Sequence, residues 1–198
     1  MASEWRASPL LPPSSKPATL VLDMDGTLLW PLTSDRLHIS KRPGVDQFLK
    51  DMADIYELVL WTSAPSDYAA NALRQLQCKG SEFSHLLSNM DFGADLTKDV
   101  TKLGRDLSKV VLVDDDRDLV PDHVVDNAIV IESYEGDNDD DCQLSNVAEI
   151  LRKLAVSKDV RGELRKLRDD GALDHIEVYS DSDDDVLELD HNDDDFDK

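Results

Sequence analysis

Asp23 and Asp25 stand one residue apart and are followed by Gly26 and Thr27, directly after the apolar run Ala18-Thr19-Leu20-Val21-Leu22. A carboxylate at a strand end can attack phosphorus if a metal neutralises the phosphate and a second acid protonates the leaving oxygen. This pair supplies both groups. In a turning backbone the two side chains can face one pocket while the Asp25 carbonyl stays open to a metal, and Gly26 permits the tight turn. The bland alternative is a solvated Asp-Gly turn, but five positions matching behind a buried strand outweigh it.

Other polar groups sit at comparable places. Thr62 follows the apolar stretch Tyr56 to Trp61. Its hydroxyl and the nearby N–H groups can bind phosphate oxygens, or Thr62 or Ser63 can cap the next helix. Lys98, with Lys102 as its competitor, offers the fixed cation that a phosphate site needs. Asp114-Asp115-Asp116 follows the run Val110 to Val113 directly. Packed like charges are costly, and a magnesium ion offsets that cost, with Asp115 as candidate ligand and Asp114 as its support.

The elements that must carry these groups alternate between strand and helix. The run at 18–22 reads as a strand buried on both faces. After a polar loop, Pro43 precedes a helical pattern of Val45, Phe48, Leu49 and Met52. The strand Tyr56 to Trp61 follows, then a helix opened near Ser66-Asp67 and ended at Lys79-Gly80. Residues 81–95 read as irregular. A short helical piece spans Asp99 to Leu103, strands follow at Val110 to Val113 and Ala128 to Ile131, and a helix covers Leu144 to Leu154. This order predicts an α/β fold, a doubly wound, mostly parallel sheet with helices on both faces. Ligands in such folds sit at strand carboxyl ends, where Asp23, Thr62 and Asp114 stand. Only 35 residues separate Thr62 from Lys98, so no large cap domain is expected.

The 198 residues suit one core with tails. Residues 1–17, punctuated by Pro9, Pro12 and Pro13, read as a flexible leader, and 18–157 as the catalytic domain. Residues 158–176 read as a charged, partly helical extension. Residues 177–198 read as an acidic disordered tail, because Asp181 to Lys198 holds ten acidic residues and one basic one. The formal charge of −22 disfavours direct nucleic-acid binding. Two cysteines far apart indicate neither a disulfide framework nor a zinc site, and no stretch has the length of a membrane span. A soluble intracellular protein, nuclear or cytoplasmic, is the resulting expectation.

With these residues assembled, the chain resembles the haloacid dehalogenase superfamily and, within it, the small C-terminal-domain phosphatases, the NLI-interacting-factor-like family. The resemblance covers roughly residues 18–155. It is carried by Asp23 to Thr27, Lys41-Arg42-Pro43-Gly44-Val45-Asp46-Gln47-Phe48-Leu49, Tyr56 through Tyr68, and Lys98 through Val110. It implies Asp23 as nucleophile and Asp25 as general acid, then base. Thr62, Ser63 and Lys98 would bind phosphate, with Thr27 and Asp114 in support. Asp23, the Asp25 carbonyl and Asp115 would hold Mg2+. It further implies a phosphoserine or phosphothreonine substrate in a protein, such as the RNA polymerase II C-terminal tail.

Two alternatives accompany that reading. One is a non-catalytic interaction module, since some relatives such as the mitochondrial import receptor keep the fold while losing nucleophile-loop residues, and the other is a small-molecule or nucleic-acid-end phosphatase using the same Asp-x-Asp-Gly-Thr loop. Gly26 stands where the family usually has Glu, the loop between Leu29 and Lys41 is short, and residues 81–95 lack an arginine that relatives place against substrate. The acidic tail, with Ser180 and Ser182 among its carboxylates, can contact a basic protein partner, although solvation is the commoner role of such runs. Deleting residues 177–198 should therefore leave aryl phosphate kinetics unchanged. A rise in kcat/KM would show instead that the tail occupies the phosphate site.

Overall fold

The computed structural model describes residues 8–34, 36–76 and 82–173. The expected end of the second helix at Lys79-Gly80 and the acidic tail at 177–198 lie outside them. In chain order the elements are β1 (Thr19–Leu22), β2 (Leu29–Pro31), β3 (Ile39–Lys41), α1 (Val45–Ile55), β4 (Glu57–Trp61), α2 (Ser66–Leu76), β5 (His85–Leu87), β6 (Val110–Asp114), β7 (Ala128–Val130), α3 (Gln143–Ala155) and α4 (Val160–Asp169). Five strands form one sheet in the order β5-β4-β1-β6-β7, every pairing parallel. β2 and β3 pair antiparallel as a separate hairpin, where the sequence reads as a polar loop.

Right-handed crossovers explain how this sheet is covered. From β1 through α1 to β4 and through α2 to β5 the chain moves one way, which puts both helices on one face. α3 and α4 return to that face, where Leu20, Leu22, Leu58, Leu60, Val111 and Val113 meet residues of all four helices. The alternate strand residues Val21, Val59, Trp61, Val110 and Leu112 pack on the other side. That second face is covered as expected, but by short 3-10 turns carrying Val100, Leu103 and Val124, not by α-helices.

Three expectations change, two at the flanks and one inside the chain. The leader is not free over its described part: Leu11 is buried against Val100 and Leu103, and the Leu10 N–H bonds the Lys102 carbonyl at 2.9 Å. Lys16 Nζ donates to the carbonyls of Ala53 and Asp54 at the end of α1, where a cation is favoured. Proline denies this segment a helix, yet leaves its apolar side chains able to pack. Within the stretch read as irregular, His85–Leu87 adds a parallel edge strand to β4. Three residues are too few to show a period, so the partner strand alone defines them.

The charged extension also belongs to the core. Asp159 caps α4 by accepting from the Arg161 N–H, and Val160 and Leu164, one turn apart, are buried against α3. Arg165 and Arg168 reach Asp126 across the fold. A helix needs few apolar residues when they share one face, and Leu173 continues that contact. No helix among the described residues is long and apolar enough to cross a membrane.

If α4 is part of the folding unit, Leu164→Ala should lower stability by about 2 to 4 kcal/mol in urea denaturation, the cost of a buried leucine cavity. An unchanged midpoint would mean that the core ends before α4.

Candidate active site

β1 and β6 are neighbours in register, Leu22 opposite Val113, so Asp23 and Asp114 emerge side by side. The Asp23 N–H bonds the Val113 carbonyl at 2.9 Å. The chain then turns sharply: Leu28 N–H returns to the Met24 carbonyl at 2.9 Å and Gly26 N–H to the Leu29 carbonyl at 2.8 Å. Met24 and Leu28 point into the core, leaving Asp23 and Asp25 on the other side of the turn. Gly26 has φ +85°, and a Cβ there would lie 2.2 Å from Asp115 Oδ2. This position admits glycine because Asp115 occupies the space a side chain would need.

Lys98 is fully buried, and its ammonium bonds the Asp23 carboxylate and, at 2.7 Å, Asp114 Oδ2. The Lys98 N–H to the Leu119 carbonyl, 2.8 Å, fixes the backbone that delivers it. Lys102, the competitor, lies partly exposed 3.4 Å from Asp99. Burial works against the Lys98 charge, but Asp23 and Asp114 together outweigh it and raise the ammonium above its ordinary value. Burial raises Asp23 well above the ordinary carboxylate range, Lys98 opposing and Asp114 and Asp115 reinforcing the rise.

Carboxylate oxygens of Asp23, Asp114 and Asp115 lie within 4.8 Å of one another. Thr27 Oγ1 donates to Asp115 Oδ1 at 2.8 Å, and the Asp116 N–H to Asp114 Oδ1 at 3.1 Å. One ammonium against three carboxylates leaves net negative charge in a buried place. An oxygen-only donor set with that charge suits Mg2+, which takes one or two carboxylates and completes its shell with water and phosphate.

Asp25 is half-buried and differently held. Tyr68 Oη, from α2, donates to Asp25 Oδ1 at 2.5 Å, and the Arg36 guanidinium lies 5.0 Å from the Tyr68 ring centre. Burial raises the Asp25 carboxyl, while the Tyr68 hydrogen bond holds the rise back. Thr62 is buried beyond β4, its hydroxyl accepting from the Ala64 N–H at 3.1 Å, whereas Ser63 is exposed. Tyr68 and Arg36 escape a reading by type and spacing, since Tyr68 fits the apolar face of its helix. A hydroxyl on that face, one turn into a helix following Thr62, is the only hint. Arg42 is likewise absent from the expected set, although it contacts the loop directly.

A parallel sheet with its acid-bearing turn after the central strand defines a haloacid dehalogenase-like α/β fold. Residues 18–161 match the NLI interacting factor-like phosphatase family, and the chain belongs to it. Phosphatase Herzog of Drosophila melanogaster is 33% identical over 137 residues, covering 68% of this chain and 36% of that protein. Mitochondrial import inner membrane translocase subunit TIM50-A of the same fly is 35% identical over 162 residues, covering 77% and 46%. Subunit TIM50 of Gibberella zeae is 34% identical over 139 residues, covering 65% and 25%. The chain thus spans less than half the length of these relatives. Among solved structures, Fcp1, an essential RNA polymerase II CTD phosphatase, shares the fold with TM-score 0.52 and 21% identity over 80% of this chain and 52% of that one.

The expected nuclear or cytoplasmic placement is corrected by these comparisons, since several relatives are named as mitochondrial inner membrane translocase subunits. Few cysteines and no apolar span are equally compatible with more than one compartment, so neither feature could carry that expectation.

Replacing Lys98 by Met strands two buried carboxylates and should cost about 3 to 5 kcal/mol at pH 7. The raised lysine contributes fully below its ordinary pKa of about 10.4, and that contribution is lost as pH rises through the raised folded-state value. In Lys98→Met the stranded carboxyls, raised by burial, regain protons as pH falls. The deficit in urea denaturation should therefore shrink from pH 7 to pH 5, and an equal deficit at both would contradict this charge balance.

Proposed function

We propose that the chain is a Mg2+-dependent phosphoric monoester hydrolase that removes phosphate from phosphoserine or phosphothreonine in proteins through an aspartyl-phosphate. The observation that carries this reading is the separation of the two carboxylates. Asp23 is tied to a buried ammonium, whereas Asp25 is held by a tyrosine hydroxyl. Pairs of acids placed in unlike surroundings take unlike roles.

Lys98, bonded to Asp23 Oδ1, opposes the effect of burial and favours the ionised carboxylate, which leaves Oδ2 to attack phosphorus. As that bond forms, the bond from phosphorus to the seryl or threonyl oxygen breaks, and protonated Asp25 gives that oxygen its proton. Asp25, now a base, takes a proton from water, whose oxygen attacks phosphorus and releases Asp23 and inorganic phosphate. Asp23, the Asp25 carbonyl and Asp115 would hold Mg2+, which when bound supplies charge neutralisation of the phosphate. Lys98 and Thr62 are the phosphate-binding candidates, with Ser63 at the rim.

An open site supports a protein substrate. Between Thr62 and Lys98 the described residues form α2 against the sheet, the edge strand β5 and one 3-10 turn with no buried residue, and no larger inserted unit stands among them. A segment such as the RNA polymerase II tail, on which Fcp1 acts, is one candidate. A non-catalytic role in protein import is the second reading, favoured by the translocase relatives. The full set of Asp23, Asp25, Lys98, Asp114 and Asp115 supports the catalytic one.

An aryl phosphate assay separates them. Mg2+-dependent turnover is expected in the parent, abolished by chelation, and Asp23→Asn should lower kcat by at least about 1,000-fold, the scale of losing a nucleophile. Full activity in Asp23→Asn would sink the mechanism, and an inactive parent would favour the import reading.

A further inference from the structure

We propose that Arg42 and Asp141 form a positioning pair that holds the carbonyl side of the 23–29 turn, a role resting on the hydrolase reading above. Arg42 ends the β2–β3 hairpin just before α1 and is 1% exposed. A guanidinium has five N–H donors in a fixed fork, and here each has an acceptor. Nη1 donates to the carbonyls of Gly26 at 3.1 Å and Thr27 at 3.3 Å. Nη2 donates to the Glu132 carbonyl and Asp141 Oδ2, both at 2.8 Å, and Nε to Asp141 Oδ1 at 3.0 Å.

Stability alone does not account for such an arrangement. Burying an arginine and a carboxylate costs several kcal/mol in desolvation, and an apolar pair of similar volume commonly does as well or better. An apolar pair cannot hold two consecutive carbonyls, however, and these belong to the residues directly after Asp25. Tyr134, whose ring centre lies 5.7 Å from the guanidinium carbon, adds its N–H to the Gly26 carbonyl at 2.7 Å. On the opposite side of the turn, Thr27 Oγ1 orients Asp115. Arg42 therefore fixes one edge of the peptide whose other edge sets the third carboxylate. Lysine keeps the charge but lacks the fork, so it cannot reach acceptors on the 23–29 turn, the segment after β7 and Asp141 together.

The test uses the full chain with Arg42→Ala, Arg42→Lys and Asp141→Asn, the last keeping volume should the arginine variants fail to fold. Hydrogen exchange across residues 23–29, read by mass spectrometry, should accelerate by about tenfold or more, while the β1 and β4 peptides keep their protection. Aryl phosphate kcat should fall by about 100-fold in the arginine variants, the effect of a small misplacement, with KM little changed. Added guanidinium should restore part of the lost kcat in Arg42→Ala and none in Asp141→Asn. Exchange at 23–29 within threefold of the parent, or faster exchange with an unchanged kcat, would overturn the proposal. A parent that hydrolyses nothing, while exchange still accelerates in the variants, would sink the hydrolase reading and leave the loop-holding role standing.

Discussion

The buried ammonium of Lys98, bonded to Asp23 and Asp114, is the interaction on which the site depends. Two carboxylates at the ends of adjacent parallel strands would repel each other in a place where little water reaches them. A cation between them turns that repulsion into a bridge joining β1, β6 and the segment before the 3-10 turn at 100–103. The bridge remains short of full neutrality because Asp115 stands beside it. That residual charge is what a divalent cation and a phosphate group would divide between them.

Around this bridge the protein separates two acids of the same kind. Asp23 is almost fully buried and faces Lys98, while Asp25 is half-buried and faces Tyr68. A single residue between them would ordinarily give similar surroundings. The turn defeats that similarity by burying Met24 and by bending at Gly26, whose missing side chain makes room for Asp115. The same glycine shows why a departure from the family's usual residue can fit: in this chain the space is already taken.

The five-stranded sheet supplies the rigid part of this geometry. Residues on alternate sides of β1, β4 and β6 divide between two apolar layers, which fixes the strands from both faces. The flanks strengthen the layers instead of trailing from them. Leu11 closes the face covered by 3-10 turns, and Val160 and Leu164 extend the helical face. Proline content and charge density describe how a segment behaves alone, and both segments have a partner.

Local chemistry made part of this fold legible along the chain. Apolar runs marked β1, β4, β6 and β7, helical spacing marked α1, α2 and α3, and the acids at strand ends marked the carboxylates of the candidate site. Asp23, Asp25, Asp114 and Asp115 were legible because they follow apolar runs that must be buried, whereas Lys98 was chosen by the need for a fixed cation, with Lys102 as its competitor. Features that depend on partners distant in the chain emerge in the folded molecule alone. β5 exists because β4 offers an edge, α4 is held by α3 and Asp126, and Lys98 prevails over Lys102 because the fold buries its ammonium between Asp23 and Asp114 while Lys102 stays exposed beside Asp99. Arg42 and Tyr68 act on the 23–29 turn from a hairpin end and a helix face, and no spacing rule records that approach. Hydrogen bonds of this kind are set by how the layers stack, and stacking is a property of the whole core.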